Sequence, residues 1–314
     1  MRYRTLGRTG LAVSVIGFGA SPLGNEFGEA DPSAGERAVH AAIASGINFF
    51  DVAPYYGRTL AEKRLGQALE GKRSQVILAT KCGRYDIDQF DFSASRVFRS
   101  TEESLRRLKS DYVDLLHVHD VEFGDVTQIV NETLPALEEI RRQGKARFIG
   151  ITGYSLGVLA RIASAAPVST ILSYCRSNLL VGDLDTRLRP FAAEHGIGLI
   201  NASPLHMGIW TPQGPPSWHP AAPEVLAAAR TAVNFLQSSS IPPARFALRY
   251  CLDSSPVATT LVGMATEDQV KENLAALDHP NNPEMLKHIQ QILAPVRNRI
   301  WPSGRIENRD NGLH

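Results

Sequence analysis

Eight short apolar runs alternate with amphipathic stretches along 314 residues, no linker or low-complexity segment interrupts them, and no G-x-G-x-x-G follows the first run. Together these features predict an α/β chain: a (β/α)8 TIM barrel with an N-terminal β-hairpin and an extra C-terminal helix, formed as a single domain over residues 1–314. The missing glycine fingerprint removes the main support for a doubly wound open sheet.

Each element has a local reason. The opening "YRTLGRTGLAVSVIGFG" alternates around a glycine-rich turn and reads as a hairpin feeding a first inner strand, "SVIGFG". "SAGERAVHAAIASG" has a serine cap, apolar residues at helical spacing and a glycine stop. The strand "INFFD" follows, then the helix "TLAEKRLGQALEG" and the strand "QVILATK". "SASRVFRSTEESLRRLKS" is helical and precedes the strand "YVDLLHVHD"; "VTQIVNETLPALEEIRRQG" reads as one helix before the strand "ARFIGITG". "LGVLARIASAA" leads into "STILSYC", and "DLDTRLRPFAAEHG" into "IGLINASPL". Two helices, "APEVLAAARTAVNFLQSSS" and "PPARFALRYCLDSS", come before the eighth strand "VATTLVG" and the helix "TEDQVKENLAAL". The added helix is "PEMLKHIQQILAPVRNRI", and the end of the tail "WPSGRIENRDNGLH" is expected to be mobile.

Composition narrows the partners. Hydrophobic residues at 43% can fill a full core, and a net charge of +1 with interspersed signs gives no basic patch for nucleic acid. No run approaches the roughly 18 apolar residues of a membrane span, and "MRYRTLGRTG" lacks the apolar core of a signal peptide. Cys82, Cys175 and Cys251 are odd in number and without metal-type spacing, which points to a reducing, cytoplasmic setting.

In such a barrel the reactive groups gather at the C-terminal strand ends. Asp51 closes the second barrel strand with Tyr56 in the loop behind it, Lys81 closes the third, and His119 closes the fourth. Singly, each has an ordinary explanation as a cap, packing or a solvated rim residue. Jointly, they make a set for proton transfer at an oxygen. A free phenol titrates near 10 and is a poor base at neutral pH; an adjacent ammonium favours the phenolate. Asp51 is therefore expected to anchor Lys81, Lys81 to lower the Tyr56 pKa, and His119 to orient the substrate oxygen. Cys82 points away from the site by strand alternation, although its nearness to the rim leaves it open to oxidation.

"GINFFDVAPYYG", "ILATKCG" and "DYVDLLHVHD" resemble the Asp, Tyr, Lys and His signatures of the aldo-keto reductase superfamily in order and spacing, and "GKARFIGITG", "SPLHMG" and "VGMATEDQVKENLAAL" resemble its cofactor segments. The resemblance runs along nearly the whole chain. It implies a catalytic tetrad of Asp51, Tyr56, Lys81 and His119, and hydride transfer between a nicotinamide and a carbonyl or carbinol carbon. Cofactor contacts would come from Gly19, Ala20, Thr152, Ser173, Ser203, Pro204, Leu205, Gly263, Met264, Gln269 and Asn273. "ATKCGRYD", "TILSYC", "QGPPSWHP" and "WPSG" are most similar to the sugar-oxidising members. The implied reaction is NAD(P)-dependent oxidation of an aldose, L-galactose foremost, at C1 to the lactone; L-fucose or D-arabinose, and NADPH-linked aldehyde reduction, are the alternatives.

The chain departs from the commoner family pattern at Thr152-Gly153 (usually Ser-Asn), Ser173 (usually Gln) and Ala202 (usually Tyr or Trp). No cation lies from Gly263 to Val270, where NADPH-using relatives place Lys or Arg, and this favours NAD over NADP. Tyr56, His119, Asp120, His206, Trp210 and Trp218, with His219, Phe90 and Trp301, are the substrate-side candidates. Two rival classes follow from the same residues. "HVHD" matches an H-x-H metal pair, but the ends of the fifth, sixth and eighth strands offer no further ligand. The superfamily also includes ion-channel accessory subunits, a reading against which the complete tetrad weighs.

Overall fold

A computed structural model describes residues 1–254 and 257–310. The N-terminal strands β1 (Tyr3–Thr5) and β2 (Ala12–Ser14) pair antiparallel. Eight parallel strands follow: β3 (Ile16–Gly19), β4 (Phe49–Asp51), β5 (Ile77–Cys82), β6 (Val113–Val118), β7 (Ala146–Gly153), β8 (Thr170–Tyr174), β9 (Gly198–Ala202) and β10 (Thr259–Gly263). They close in sequence order, with Gly263 opposite Gly19 at the seam between β10 and β3. This is the (β/α)8 TIM barrel, with the hairpin and the added C-terminal helix in place.

The surrounding helices are α1 (Pro32–Ala44), α2 (Leu60–Ala68), α3 (Ala94–Leu108), α4 (Val126–Gln128), α5 (Leu134–Arg142), α6 (Leu156–Ala165), α7 (Leu184–Arg187), α8 (Arg189–Glu194), α9 (Pro223–Ser238), α10 (Pro243–Ser254), α11 (Glu267–Ala275) and α12 (Pro283–Leu293). Asp31, Ser93 and Asn282 cap α1, α3 and α12 by accepting backbone N–H bonds, which satisfies donors a helix start leaves free.

Two helices expected to be continuous are not. Residues 126–144 contain a π turn, Ile129–Thr133, between α4 and α5. Pro135 explains it: proline has no N–H to donate and its ring crowds the carbonyl four residues back, and a widened turn upstream relieves both. Residues 183–196 break at Leu188 into α7 and α8, where Pro190 stands two residues on. The expected end of the helix at Ser255, and the expected mobility of the tail at residues 311–314, lie outside the described residues.

Three apolar clusters hold the molecule together. Leu6, Leu11 and Val13 of the hairpin join Phe49, Ala79, Leu115, Leu172, Ile200 and Leu261, so the hairpin plugs one end of the barrel. A second cluster packs strands against helices, and a third lies among Leu179–Val181, Trp210, α9 and α12. Within the barrel the strands approach closely: a Cβ on Gly150 would lie 2.3 Å from Thr170 Oγ1 and 2.6 Å from the His117 ring. No helix among the described residues is long and apolar enough to cross a membrane.

From residue 301 onward the chain is fastened across the barrel. Asp310 accepts from the backbone N–H groups of Leu156 (2.8 Å) and Gly157 (3.0 Å) at the start of α6, and pairs with the fully buried guanidinium of Arg176 at 2.8 Å. Ser155, at the cap position of α6, makes no side-chain cap bond, so the cap comes from the tail.

Candidate active site

Register places the first reactive pair. β4 and β5 are neighbours; Asp51 ends β4, Lys81 is the last residue but one of β5, and both are buried, Asp51 3% exposed and Lys81 1%. Lys81 Nζ donates to Asp51 Oδ1 at 2.5 Å and to the Val52 carbonyl at 2.9 Å. Burial pushes the Asp51 carboxyl up, and Lys81 pulls it back. Its second oxygen, Oδ2, is buried without a partner.

Tyr56 follows in a turn that starts at Ala53, whose carbonyl accepts the Tyr56 N–H at 3.1 Å. The next residue has to be glycine. Gly57 has φ 58°, and a Cβ there would lie 2.2 Å from the Gly24 carbonyl oxygen. This backbone-to-backbone contact sets the phenol over Lys81, whose Nζ is 5.0 Å from the ring centroid. His119 meets the Tyr56 ring edge-on, centroids 5.8 Å apart at 85°. The four expected groups therefore share one corner of the rim.

The electrostatics differ from the expectation in one respect. Lys81 was expected to lower the Tyr56 pKa, but the phenol lies well above its ordinary value. Burial is the main cause, followed by the carboxylates of Asp51 and Asp120. The ammonium is already matched by Asp51, so little of its field remains for the phenol. His119 is held down to about 3, chiefly by burial, and its imidazole is neutral at physiological pH with Nδ1 unpartnered.

Around this corner the other candidates divide. Asp120 is 3% exposed in a left-handed backbone (φ 51°); its N–H donates to Thr152 Oγ1 at 3.2 Å, and its carboxylate accepts from Arg84 Nη1 at 2.6 Å. Thr152 thus already spends an acceptor on the Asp120 turn. Ser173, at the end of β8, is fully buried with Oγ unpartnered. Gly19 and Gly263 face each other across the seam, and the Ala20 N–H donates to the Asp51 carbonyl at 2.9 Å. Ser203, with φ 55°, opens the turn that runs through the buried Pro204 and through Leu205 to His206 and Met207, both also left-handed. Gln269 Oε1 accepts the Ala265 N–H at 2.7 Å, and Asn273 is buried on α11.

Trp210 and Met264 are both enclosed by the fold. Trp210 is fully buried in the cluster that also takes in residues of α9 and α12. The tight turn after β9 carries its indole inward. Met264 is likewise fully buried among the strand–helix contacts. Trp218 is exposed, its ring 6.0 Å from that of Phe27 in the loop after β3. His206, 1% exposed, packs against His219 (5.7 Å) and edge-on to Trp301 (5.5 Å), which itself stacks on Tyr154 at 4.3 Å. His117 turns into the barrel, with Nε2 2.9 Å from Thr170 Oγ1, which engages one of the two histidines an H-x-H metal pair would need. Cys82 is fully buried and its thiol is pushed up to about 12, so its nearness to the rim does not expose it to oxidants.

Arg84 was missed in the sequence. It stands three residues past Lys81, with its guanidinium 3.9 Å from the Tyr55 ring centroid and within 5.5 Å of those of Phe90 and Phe123. Its place in the loop after the third barrel strand was the available signal. Arg37, on α1, pairs with Glu267 at the start of α11 (3.3 Å), a cation that a search of the 263–270 turn alone does not find.

The aldo/keto reductase family model matches residues 15–294. The chain belongs to that family. As an aldo-keto reductase it is 48% identical over 315 residues to L-galactose dehydrogenase of Arabidopsis thaliana, covering 97% of this chain and 98% of that one. It is 29% identical to D-threo-aldose 1-dehydrogenase of a Pseudomonas species, over 86% of this chain and 92% of the other. Among solved structures, an aldo-keto reductase from Bacillus halodurans in its holo form matches with a TM-score of 0.76 at 29% identity, covering 93% of this chain and 96% of the other.

Proposed function

We propose that this aldo-keto reductase oxidises an aldose, L-galactose foremost, at C1 to the lactone with NAD. The observation that carries the chemistry is the buried Lys81–Asp51 pair beneath Tyr56, with a neutral His119 edge-on to the same phenol. The substrate follows from near-full-length similarity to the plant L-galactose dehydrogenase.

The rim suits a nicotinamide cofactor. Ser173 Oγ is a buried hydroxyl without a partner, as a group awaiting an amide would be. Gly19 and Gly263 keep the seam free of side chains, and Ser203–Leu205 together with the start of α11 supply backbone of the kind that holds phosphate. A nicotinamide held there would supply the acceptor for the hydride that leaves C1. Tyr56 takes the proton of the C1 hydroxyl, and in reverse returns it to the developing alkoxide. Lys81, held beneath the phenol ring, offsets the Asp51 carboxylate that would otherwise oppose the phenolate, and the neutral imidazole of His119 hydrogen-bonds the substrate oxygen without competing for its proton. NAD is favoured over NADP because Glu267 and Asp268 occupy the first turn of α11 and Arg37 is already matched by Glu267, so a 2′-phosphate would meet carboxylate. Three buried unpaired cysteines fit a reducing, cytoplasmic setting.

The test is absorbance of the reduced nicotinamide with L-galactose and either NAD or NADP. The expected result is growth with NAD, lost in Tyr56→Phe while cofactor binding persists. Growth only with NADP would refute the cofactor assignment, and no growth with any aldose would refute the function.

A further inference from the structure

We infer that Arg84, together with Asp120, is the specificity-determining couple that reads a hydroxyl of the sugar away from C1; the inference rests on the aldose-oxidation reading above. Asp120 follows His119 directly and is buried in a left-handed backbone conformation that costs a non-glycine residue energy, so its position beside the imidazole is fixed by the fold. The Thr152 hydroxyl holds its N–H. Arg84 holds its carboxylate at 2.6 Å, and the Arg84 side chain keeps about 16% of its surface exposed.

Aromatic rings surround the couple. Phe90 and Phe123 stack at 4.5 Å and 9°, and the guanidinium lies 3.9 Å from the centroid of Tyr55, which also meets His119 edge-on at 6.0 Å. Arg84 and Phe90 are joined by an isolated antiparallel bridge, which ties the cation and its aromatic wall into one unit. A sugar presents apolar C–H faces and hydroxyls that both donate and accept. Aromatic faces meet the first, and a fixed guanidinium–carboxylate couple meets the second by charge-assisted hydrogen bonds. Tyr56 and His119 are engaged at the C1 oxygen, and Lys81 and Asp51 are paired beneath them, which leaves the hydroxyls away from C1 to other side chains.

Substrate deletion tests it. Wild type, Arg84→Met and Arg84→Lys are compared on the aldose and on its singly deoxygenated analogues. Arg84→Met is expected to lower kcat/KM for the aldose roughly 10- to 100-fold, the range for losing a hydrogen bond to a charged group. For one analogue, the one lacking the contacted hydroxyl, wild type and variant should be equal, and Arg84→Lys should recover part of the loss on the parent sugar. An equal fall on every analogue would mean that Arg84 only supports the fold or the chemistry, and would overturn the inference, as would no fall on any. If Arg84→Met does not fold, the same comparison with Arg84→Lys decides. Wild-type enzyme without activity on any aldose would refute the functional reading itself, and this inference with it.

Discussion

Tyr56 keeps its proton through the neutral range because burial and the carboxylates of Asp51 and Asp120 outweigh the cations nearby. Oxidation needs the phenolate, so its rate should climb with pH into the alkaline range. Lys81→Met should move that climb further alkaline and lower the rate. The variant also leaves the buried Asp51 carboxylate alone, at a cost of about 3–5 kcal/mol. Adding Asp51→Asn should restore most of the stability and none of the activity; recovery of turnover in the double variant would remove Lys81 from the proton path. The reactive corner was legible in sequence because short apolar runs mark the strands, and Asp51, Lys81 and His119 sit within one residue of their ends. The burial of Trp210 and Met264 was not, because a loop sequence does not reveal which side of it α9, α12 or the outer core will cover. Arg84 escaped because its surroundings come from three separate loops.

Among the elements, the fastened tail has the clearest consequence. Burial works against the Asp310 carboxylate, but Arg176 and the N–H groups of Gly157 and Leu156 hold its pKa below the usual range. Asp310→Ala would uncap α6 and leave a buried guanidinium one partner short, a loss of about 2–3 kcal/mol. Hydrogen exchange should quicken over residues 301–310 and at the first turn of α6 while the β4–β6 strands stay protected. Unchanged exchange there would show that the tail is held by other contacts. Helix starts were read to within two residues: the serine cap expected at Ser33 is supplied by Asp31 instead, and Ser93, the first residue of the next expected helix but one, does cap α3. The two failures both sit at prolines: apolar periodicity carried both helices straight through Pro135 and Pro190, where the backbone could not follow.

For the molecule as a whole, buried ionisable groups set the pH range of stability. His117, His119 and His206 are held down to about 3 by burial, so the unfolded chain binds protons there first, and stability is lost as pH falls from 6.5 toward 3. Glu122 has the opposite sign. Burial, then Asp120, push its carboxyl up to about 8, and the stability it contributes below the ordinary carboxylate range is lost as pH rises toward 8. The melting temperature should peak near pH 6.5 and decline gently to pH 8. Glu122→Gln should remove the decline; parallel curves for wild type and variant across that window would discard the assignment. The barrel was legible from alternation and length, whereas these charges were not, since no sequence window reports how deeply a carboxyl will be buried.

Closing the ring joins strands at opposite ends of the sequence. Gly19 and Gly263 pair across roughly 240 residues, whereas β3 and β4 pair across roughly 30. Three doublings of the intervening length add about 2 kcal/mol of loop-closure entropy. Contacts so distant in the chain slow folding. Asp51, Lys81 and His119 lie on or just past three consecutive strands on the locally paired side, so the reactive corner can assemble from near neighbours in the chain before the seam between Gly19 and Gly263 shuts.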